Sequence, residues 1–176
     1  SIWDRERITV ELQFNKKIVA WDTRFRRMDD GRNIWIEITA RYYPEHNRTD
    51  AVFTDITSVK MTEHNLYRLT YYDSLTDFPN RTLFMQRVHS EIMRYQRRNN
   101  QDYIFSIMCV GIDRFKNINE MHGKATGDAL LKALAQRLKE RFRDNDSVAR
   151  MEGDKFLVLL TDIENHESIT AIVQKI

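Results

Sequence analysis

Tyr103-Ile104-Phe105-Ser106-Ile107-Met108-Cys109-Val110-Gly111-Ile112 is a continuous apolar run in a chain otherwise rich in charge. Its length suits a central strand buried on both faces, and it falls well short of the ~20 residues a membrane span needs. Cys109 within it reads as a small core residue. On the N-terminal side, Arg81–Arg97 predicts an amphipathic helix with Leu83, Phe84, Val88 and Ile92 apolar, ending in the polar Arg97-Arg98-Asn99-Asn100. On the C-terminal side, Asp128–Arg141 predicts a second helix, because Leu130, Leu134, Leu138 and Phe142 recur every four residues. Ser147–Arg150 and Lys155–Leu160 then flank Met151-Glu152-Gly153-Asp154, a hairpin pattern in which Gly153 is free to take positive φ. A last helix is expected over His166–Lys175. Helix, strand, helix, hairpin, helix describes an α/β layered domain.

The earlier residues have a different pattern. Asp4–Phe14 reads as a short helix. Ile18–Met28 and Asn33–Tyr43, rich in β-branched and aromatic residues, flank the turn Asp29-Asp30-Gly31-Arg32. Ile34, Ile36 and Ile38 alternate with Trp35 and Glu37, so one face is apolar. Asp50–Ile56 gives a third strand after a polar loop containing Pro44. Ser58–Thr70 reads as a helix with Leu66 and Leu69 on its apolar side, and Pro79 interrupts the pattern between Asp73 and Asn80. The expected class is α/β (α+β): a partial antiparallel sheet, a helical linker, then a central sheet flanked by helices.

The chain has 176 residues, 41% of them hydrophobic, with 28 Lys and Arg against 26 Asp and Glu. A net charge of +2 produces no strong field for a polyanion, so the composition does not ask for nucleic acid. A single cysteine cannot form an intrachain disulfide, which suits a reducing cytosol. No membrane span and no signal peptide are read from the sequence, and a cytoplasmic location is expected, with an upstream membrane anchor left open.

Asp73-Ser74-Leu75-Thr76-Asp77-Phe78-Pro79-Asn80-Arg81 resembles the D-x-L-T-x-L-P-N-R opening of GGDEF domains. Asp113-Arg114-Phe115-Lys116-Asn117-Ile118-Asn119, with Gly123 and Gly127-Asp128, resembles their D-x-F-K-x-I-N and G-H-x-x-G-D motifs. Arg150-Met151-Glu152-Gly153-Asp154-Lys155-Phe156 stands where the signature R-x-G-G-D-E-F belongs. Upstream, Asp29-Asp30-Gly31 before Trp35-Ile36-Glu37, and Asp55-Ile56-Thr57 followed by Lys60 and Glu63, resemble the C-terminal half of a PAS domain and its exit into a signalling helix. The resemblance implies a PAS part over residues 1–57, a linker over 58–72 and a GGDEF-type domain over 73–176, C-terminally incomplete.

Synthesis of cyclic di-GMP requires two GTP-loaded domains and divalent cations that clamp phosphate oxygens. The family's strand motif D-x-D-x-F-K supplies a metal ligand at the position of Gly111, and its signature has its first glycine and its glutamate where Glu152 and Lys155 stand. Glycine for aspartate and lysine for glutamate move the site about three charge units toward positive, each worth kcal/mol at a few Å. The signature Glu152, Gly153, Asp154, Lys155 and Phe156 is therefore degenerate, no catalytic set is intact, and Mg²⁺ binding is doubtful. Asp154 and Asp113 remain as weak metal candidates.

The resemblance also implies guanine-reading positions at Asn119 and Asp128, and a phosphate partner at Lys116. A helix cap at Asp128, a turn at Asn119 and a solvated Lys116 are equally open readings. Arg143 and Asp146 match the family's R-x-x-D inhibitory site for cyclic di-GMP, against the alternative of a charged loop. The expected ligands are GTP or cyclic di-GMP, with the PAS ligand undefined. The expected partners are a second copy in the full-length protein and a downstream EAL phosphodiesterase domain. A weakly active cyclase using Asp113 and Asp154, and a purely structural dimerisation module, stand as alternatives.

Overall fold

The chain divides into two units, Ser1–Leu66 and Tyr67–Ile176. The division falls inside one helix, so that helix contributes to both. A computed structural model describes residues 2–97, 103–143, 145–163, 169–170 and 172, the first six as backbone.

In the first unit, α1 (Ile2–Asn15) precedes β1 (Lys17–Arg26), β2 (Asn33–Tyr43) and β3 (Arg48–Asp55), and the unit ends in α2 (Thr57–Tyr71). The strands form an antiparallel sheet in the order β1-β2-β3. Of the β2 isoleucines expected on one face, Ile38 is buried with Ile18 and Ala40, and Ile36 packs against them with Ile8 and Leu12, while Ile34, Trp35 and Glu37 are half-buried. β1 stops at Arg26 rather than Met28, whose side chain is fully exposed. The reversal instead spans Arg27–Arg32, closed by the Arg27 N–H on the Arg32 carbonyl at 2.7 Å, with Gly31 at φ +69°. Asp55-Ile56-Thr57 has a clear local function. The Ile56 N–H donates to the Trp35 carbonyl at 2.9 Å, and the Trp35 N–H donates to Thr57 Oγ1 at 2.9 Å. Asp55 Oδ1 accepts the Thr57 N–H at 2.9 Å. Three residues thus end β3, tie it to β2 and start α2. Lys60, one turn on, lies 2.7 Å from Asp22 Oδ2 and sits near the Trp35 ring.

In the second unit, α3 (Arg81–Arg97), β4 (Ile104–Val110), α4 (Phe115–His122), α5 (Lys124–Arg141), β5 (Ser147–Arg150) and β6 (Phe156–Ile163) follow in order. The described strands form an antiparallel sheet ordered β4-β6-β5. The doubly buried strand is β6, not β4. Phe156, Val158 and Leu160 face Leu131, Ala135 and Leu138 of α5, while Leu159 packs with Phe84 and Val88 of α3. β4 pairs only with β6 among the described residues, so Ile107 is 46% exposed and Cys109 is exposed, correcting its reading as a core residue.

Two further expectations are corrected. α5 begins at Lys124, four residues before the expected start at Asp128, so Asp128 lies inside the helix and does not cap it. Its buried stripe is Gly127, Leu131, Ala135 and Leu138, with Leu130 and Leu134 flanking. Asn119 belongs to a short helix, α4, rather than to a turn. The Lys-Asn-Ile-Asn composition of α4 has modest helix propensity, and packing of Phe115 against the α5 core supplies the reason for the helix. The helix expected over His166–Lys175 lies largely outside the described residues, of which Ile169 and Ile172 pack against the same core.

Candidate functional site

The signature hairpin is built around Arg150. At the end of β5 its guanidinium lies 3.0 Å from Asp73 Oδ1, and its other nitrogens donate to the Gly153 carbonyl, from Nη2 at 2.9 Å. Asp73 also accepts the Leu75 and Thr76 N–H groups and the Thr76 hydroxyl at 3.2, 2.9 and 2.7 Å. The D-x-L-T turn and the hairpin therefore share one half-buried ion pair. Burial pushes the Asp73 carboxyl up, but hydrogen bonds from Thr76 and Arg150 outweigh it and hold the group below its ordinary value. Gly153, at φ +67°, takes the turn conformation expected of it, and the Met151 N–H closes the turn on the Lys155 carbonyl at 2.8 Å. The Arg150 N–H reaches the Pro79 carbonyl at 3.0 Å, and the Asn80 N–H reaches the Tyr71 carbonyl at 2.8 Å. A hydrogen-bonded path thus runs from the end of α2 to the hairpin.

Gly111 and Asp154, taken from distant parts of the sequence, meet here. A Cβ on Gly111 would stand 3.4 Å from Asp154 Oδ2, ordinary contact. That oxygen accepts the Ile112 N–H at 2.9 Å, so the carboxylate is tied to the backbone at the end of β4. Glu152, Lys155 and Asp113 are exposed. Lys155 and Glu152 border a cleft of about 450 Å³ together with Arg81, Asn80 and Thr82. Among the described residues, no three of His, Cys, Asp and Glu gather into a group able to hold a metal ion. A hard cation such as Mg²⁺ requires several oxygen ligands, and one carboxylate facing a glycine does not fit it.

The proposed guanine positions lie on the next two elements. Arg114, at φ +54°, turns the chain from β4 into α4, and Gly123, at φ +83°, turns it again into α5. Asn119 on α4 stands against Gly127 on α5, one residue before Asp128. Asn119 Oδ1 is buried and finds no hydrogen-bond donor among the described residues. Lys116 projects into solvent, its side chain 88% exposed, with Glu120 Oε1 at 3.7 Å as a loose partner.

Arg143 and Asp146 lie close together, but their contact is through the backbone. Asp146 Oδ2 accepts the Arg143 N–H at 3.1 Å, its Oδ1 accepts the Thr161 N–H at 3.3 Å, and its own N–H donates to the Arg143 carbonyl at 2.9 Å. Asp146 thus closes the loop between α5 and β5, and the Arg143 residue is left exposed.

Sequence reasoning singled out neither Asp73 nor Arg150 as a site residue. The signal was available: an aspartate three residues before a threonine is the pattern of a side chain that closes its own turn. Its pairing with Arg150, 77 positions away, was not available.

The model for the GGDEF domain of diguanylate cyclases matches residues 70–176. The diguanylate cyclase TpbB of Pseudomonas aeruginosa is 33% identical over 112 residues, 64% of this chain and 25% of that protein. The bifunctional diguanylate cyclase/cyclic di-GMP phosphodiesterase MucR of the same organism is 32% identical over 114 residues, 65% of this chain and 16% of that protein. This chain thus spans a quarter or less of the length of these relatives. The solved GGDEF domain of TpbB superposes with a TM-score of 0.55 at 32% identity, covering 60% of this chain and 59% of that one. A sensory box/GGDEF family protein from Caulobacter crescentus gives 0.53 at 29% identity, covering 59% and 65%. Through residues 70–176, which include the α4–α5 pair and the Arg150-centred hairpin, this chain belongs to the GGDEF domain family.

Proposed function

We propose that this chain is the regulatory region of a cyclic di-GMP signalling protein, in which a PAS-derived sheet and a signalling helix lead into a GGDEF domain that has lost cyclase chemistry and retains nucleotide binding. The observation that carries the reading is Gly111 opposite Asp154. An aspartate there would bring two carboxylates together; the glycine leaves one, already bonded to the Ile112 N–H. Lys155 beside it adds a positive charge where a cation would have to bind. Asn119, with its unpartnered amide oxygen, and Asp128 supply polar groups suited to a guanine edge without a metal. Lys155 and Lys116 can act as point charges toward phosphates.

The three-stranded sheet and the Asp55-Ile56-Thr57 junction support the PAS reading of residues 1–57, with residues 58–72 as linker and 73–176 as the GGDEF-type domain. An EAL domain downstream is the proposed output, since MucR and the cyclic di-GMP phosphodiesterase NbdA are among the relatives. A nucleotide controls such an output only by favouring one arrangement of the protein over another. Arg143, exposed beside the closed Asp146 loop, is the proposed contact for cyclic di-GMP.

Incubation with GTP and Mg²⁺ or Mn²⁺, followed by chromatography, is expected to yield no cyclic di-GMP. Product that disappears in Asp154→Ala would overturn the reading. Gly111→Asp combined with Lys155→Glu is expected to fall short of full activity, because Glu152 still occupies a glycine position of the family pattern.

A further inference from the structure

α4 and α5 meet at Gly123, which caps both, and the Asn119 side chain of α4 lies against Gly127 of α5. Gly127 is buried in the first turn of α5. A Cβ added there would stand 1.9 Å from Asn119 Oδ1, 2.9 Å from Asn119 Cγ and 3.2 Å from Phe115 Cζ. No side chain fits at the first two distances. The Asn119 amide therefore occupies the volume that any residue other than glycine would claim. Two unfavourable features coincide at this contact. Glycine inside a helix costs stability relative to alanine, and a buried amide oxygen without a donor costs more. Neither helps the fold, so the contact serves something other than packing.

We infer that Gly127 is a positioning residue that seats the Asn119 amide for guanine recognition. This inference rests on the nucleotide-binding reading above. The position a Gly127 Cβ would take is approached by the Asn119 amide and, one turn earlier on α4, by Phe115 Cζ, so the amide rests directly against the bare backbone of α5. An amide held in this way loses little rotational freedom when a ligand arrives. Its position relative to Asp128, the next residue along α5, is then set by the helix corner and not by chance rotamers. The argument holds whichever polar atom of the amide faces Gly127, because the seat exists only while residue 127 lacks a side chain.

Wild type, Gly127→Ala, Asn119→Ala and the double variant, all in the full-length protein, test the inference by thermal melting without nucleotide and by calorimetry with GTP and inosine triphosphate. An exposed helix glycine gains stability on change to alanine. Here Gly127→Ala is expected to lower the melting temperature in the native background, and to lower it less, or raise it, once Asn119 is alanine. GTP affinity is expected to fall at least tenfold in Gly127→Ala, with no further loss in the double variant beyond Asn119→Ala alone. The preference for GTP over inosine triphosphate, which lacks the guanine amino group, is expected to shrink in Gly127→Ala. If Gly127→Ala does not fold while the double variant does, the collision is demonstrated directly. Normal melting and normal GTP affinity in Gly127→Ala overturn the inference and leave the nucleotide reading standing. A wild type that binds no GTP overturns the nucleotide reading and the guanine role with it, even if melting shows the two positions coupled.

Discussion

Asp73 carries more of the second unit than its exposed-turn sequence suggests. Its carboxylate takes three local hydrogen bonds and the Arg150 guanidinium, and Arg150 spans on to the Gly153 carbonyl. Asp73→Asn keeps the shape and removes the charge, so it is expected to cost about 2 kcal/mol at neutral pH, the scale of hydrogen bonds to a charged group. The folded carboxyl lies below its ordinary value of 3.8 because bonds from Thr76 and Arg150 outweigh burial. Its stabilisation is therefore complete above that value and is lost as pH falls through the lower, folded one. The urea midpoints of wild type and Asp73→Asn should accordingly differ at pH 7 and converge below about pH 4. A constant difference across that range would show that the Asp73 charge is not what stabilises the turn. At the same scale, Lys155 and Glu152 were legible as departures from the family signature, but which residue each would face was not. The pairing of Gly111 with Asp154 comes from strand register: β4 runs antiparallel to β6, with Val110 opposite Phe156, and this brings the end of β4 to the hairpin.

At the scale of the element, α2 is the unusual helix. It buries none of its residues. Leu66 is 58% and Leu69 74% exposed, with Val59 also open on the same side. Positions 59, 62, 66 and 69 follow the three-four spacing of a coiled-coil seam, with Thr62 as its weak point. Val59, Leu66 and Leu69 are exposed along this spacing, and the expected partner for them is the same helix of a second copy. Leu66→Asp is expected to weaken self-association of the full-length protein by at least tenfold, measured by sedimentation across a concentration series. An unchanged dissociation constant would remove α2 as the contact. The helix, with Leu66 and Leu69 on one side, was readable from periodicity because a helix repeats regularly. The start of α5 was not, since Lys124-Ala125-Thr126-Gly127 carries no apolar repeat.

For the whole molecule, the division into Ser1–Leu66 and Tyr67–Ile176 makes a regional prediction. A ligand that binds at α4 and α5 stabilises the elements it touches and those that unfold with them. Hydrogen exchange with saturating GTP is expected to slow across residues 111–131, and to leave β1–β3 of the first unit unchanged. Equal protection of both units would show that they unfold together. Protection confined to residues 143–163 would move the binding site to the Arg143 loop.

The sequence by itself determined the order of the elements apart from α4, the family of the second half of the chain, the three motifs and the residues that depart from them. Those are properties of local pattern: alternation along β2, Leu66 and Leu69 on one side of α2, and a turn glycine at 153 with positive φ. Tertiary structure alone decided that β6 and not β4 is the doubly covered strand, that Cys109 is exposed, that Asp128 sits inside a helix, and that Asn119 rests in the space left by Gly127. Each of these depends on which elements meet. An apolar run states only that a segment can be buried; how many of its faces are covered is set by the neighbours it pairs with, and those lie tens of residues away along the chain.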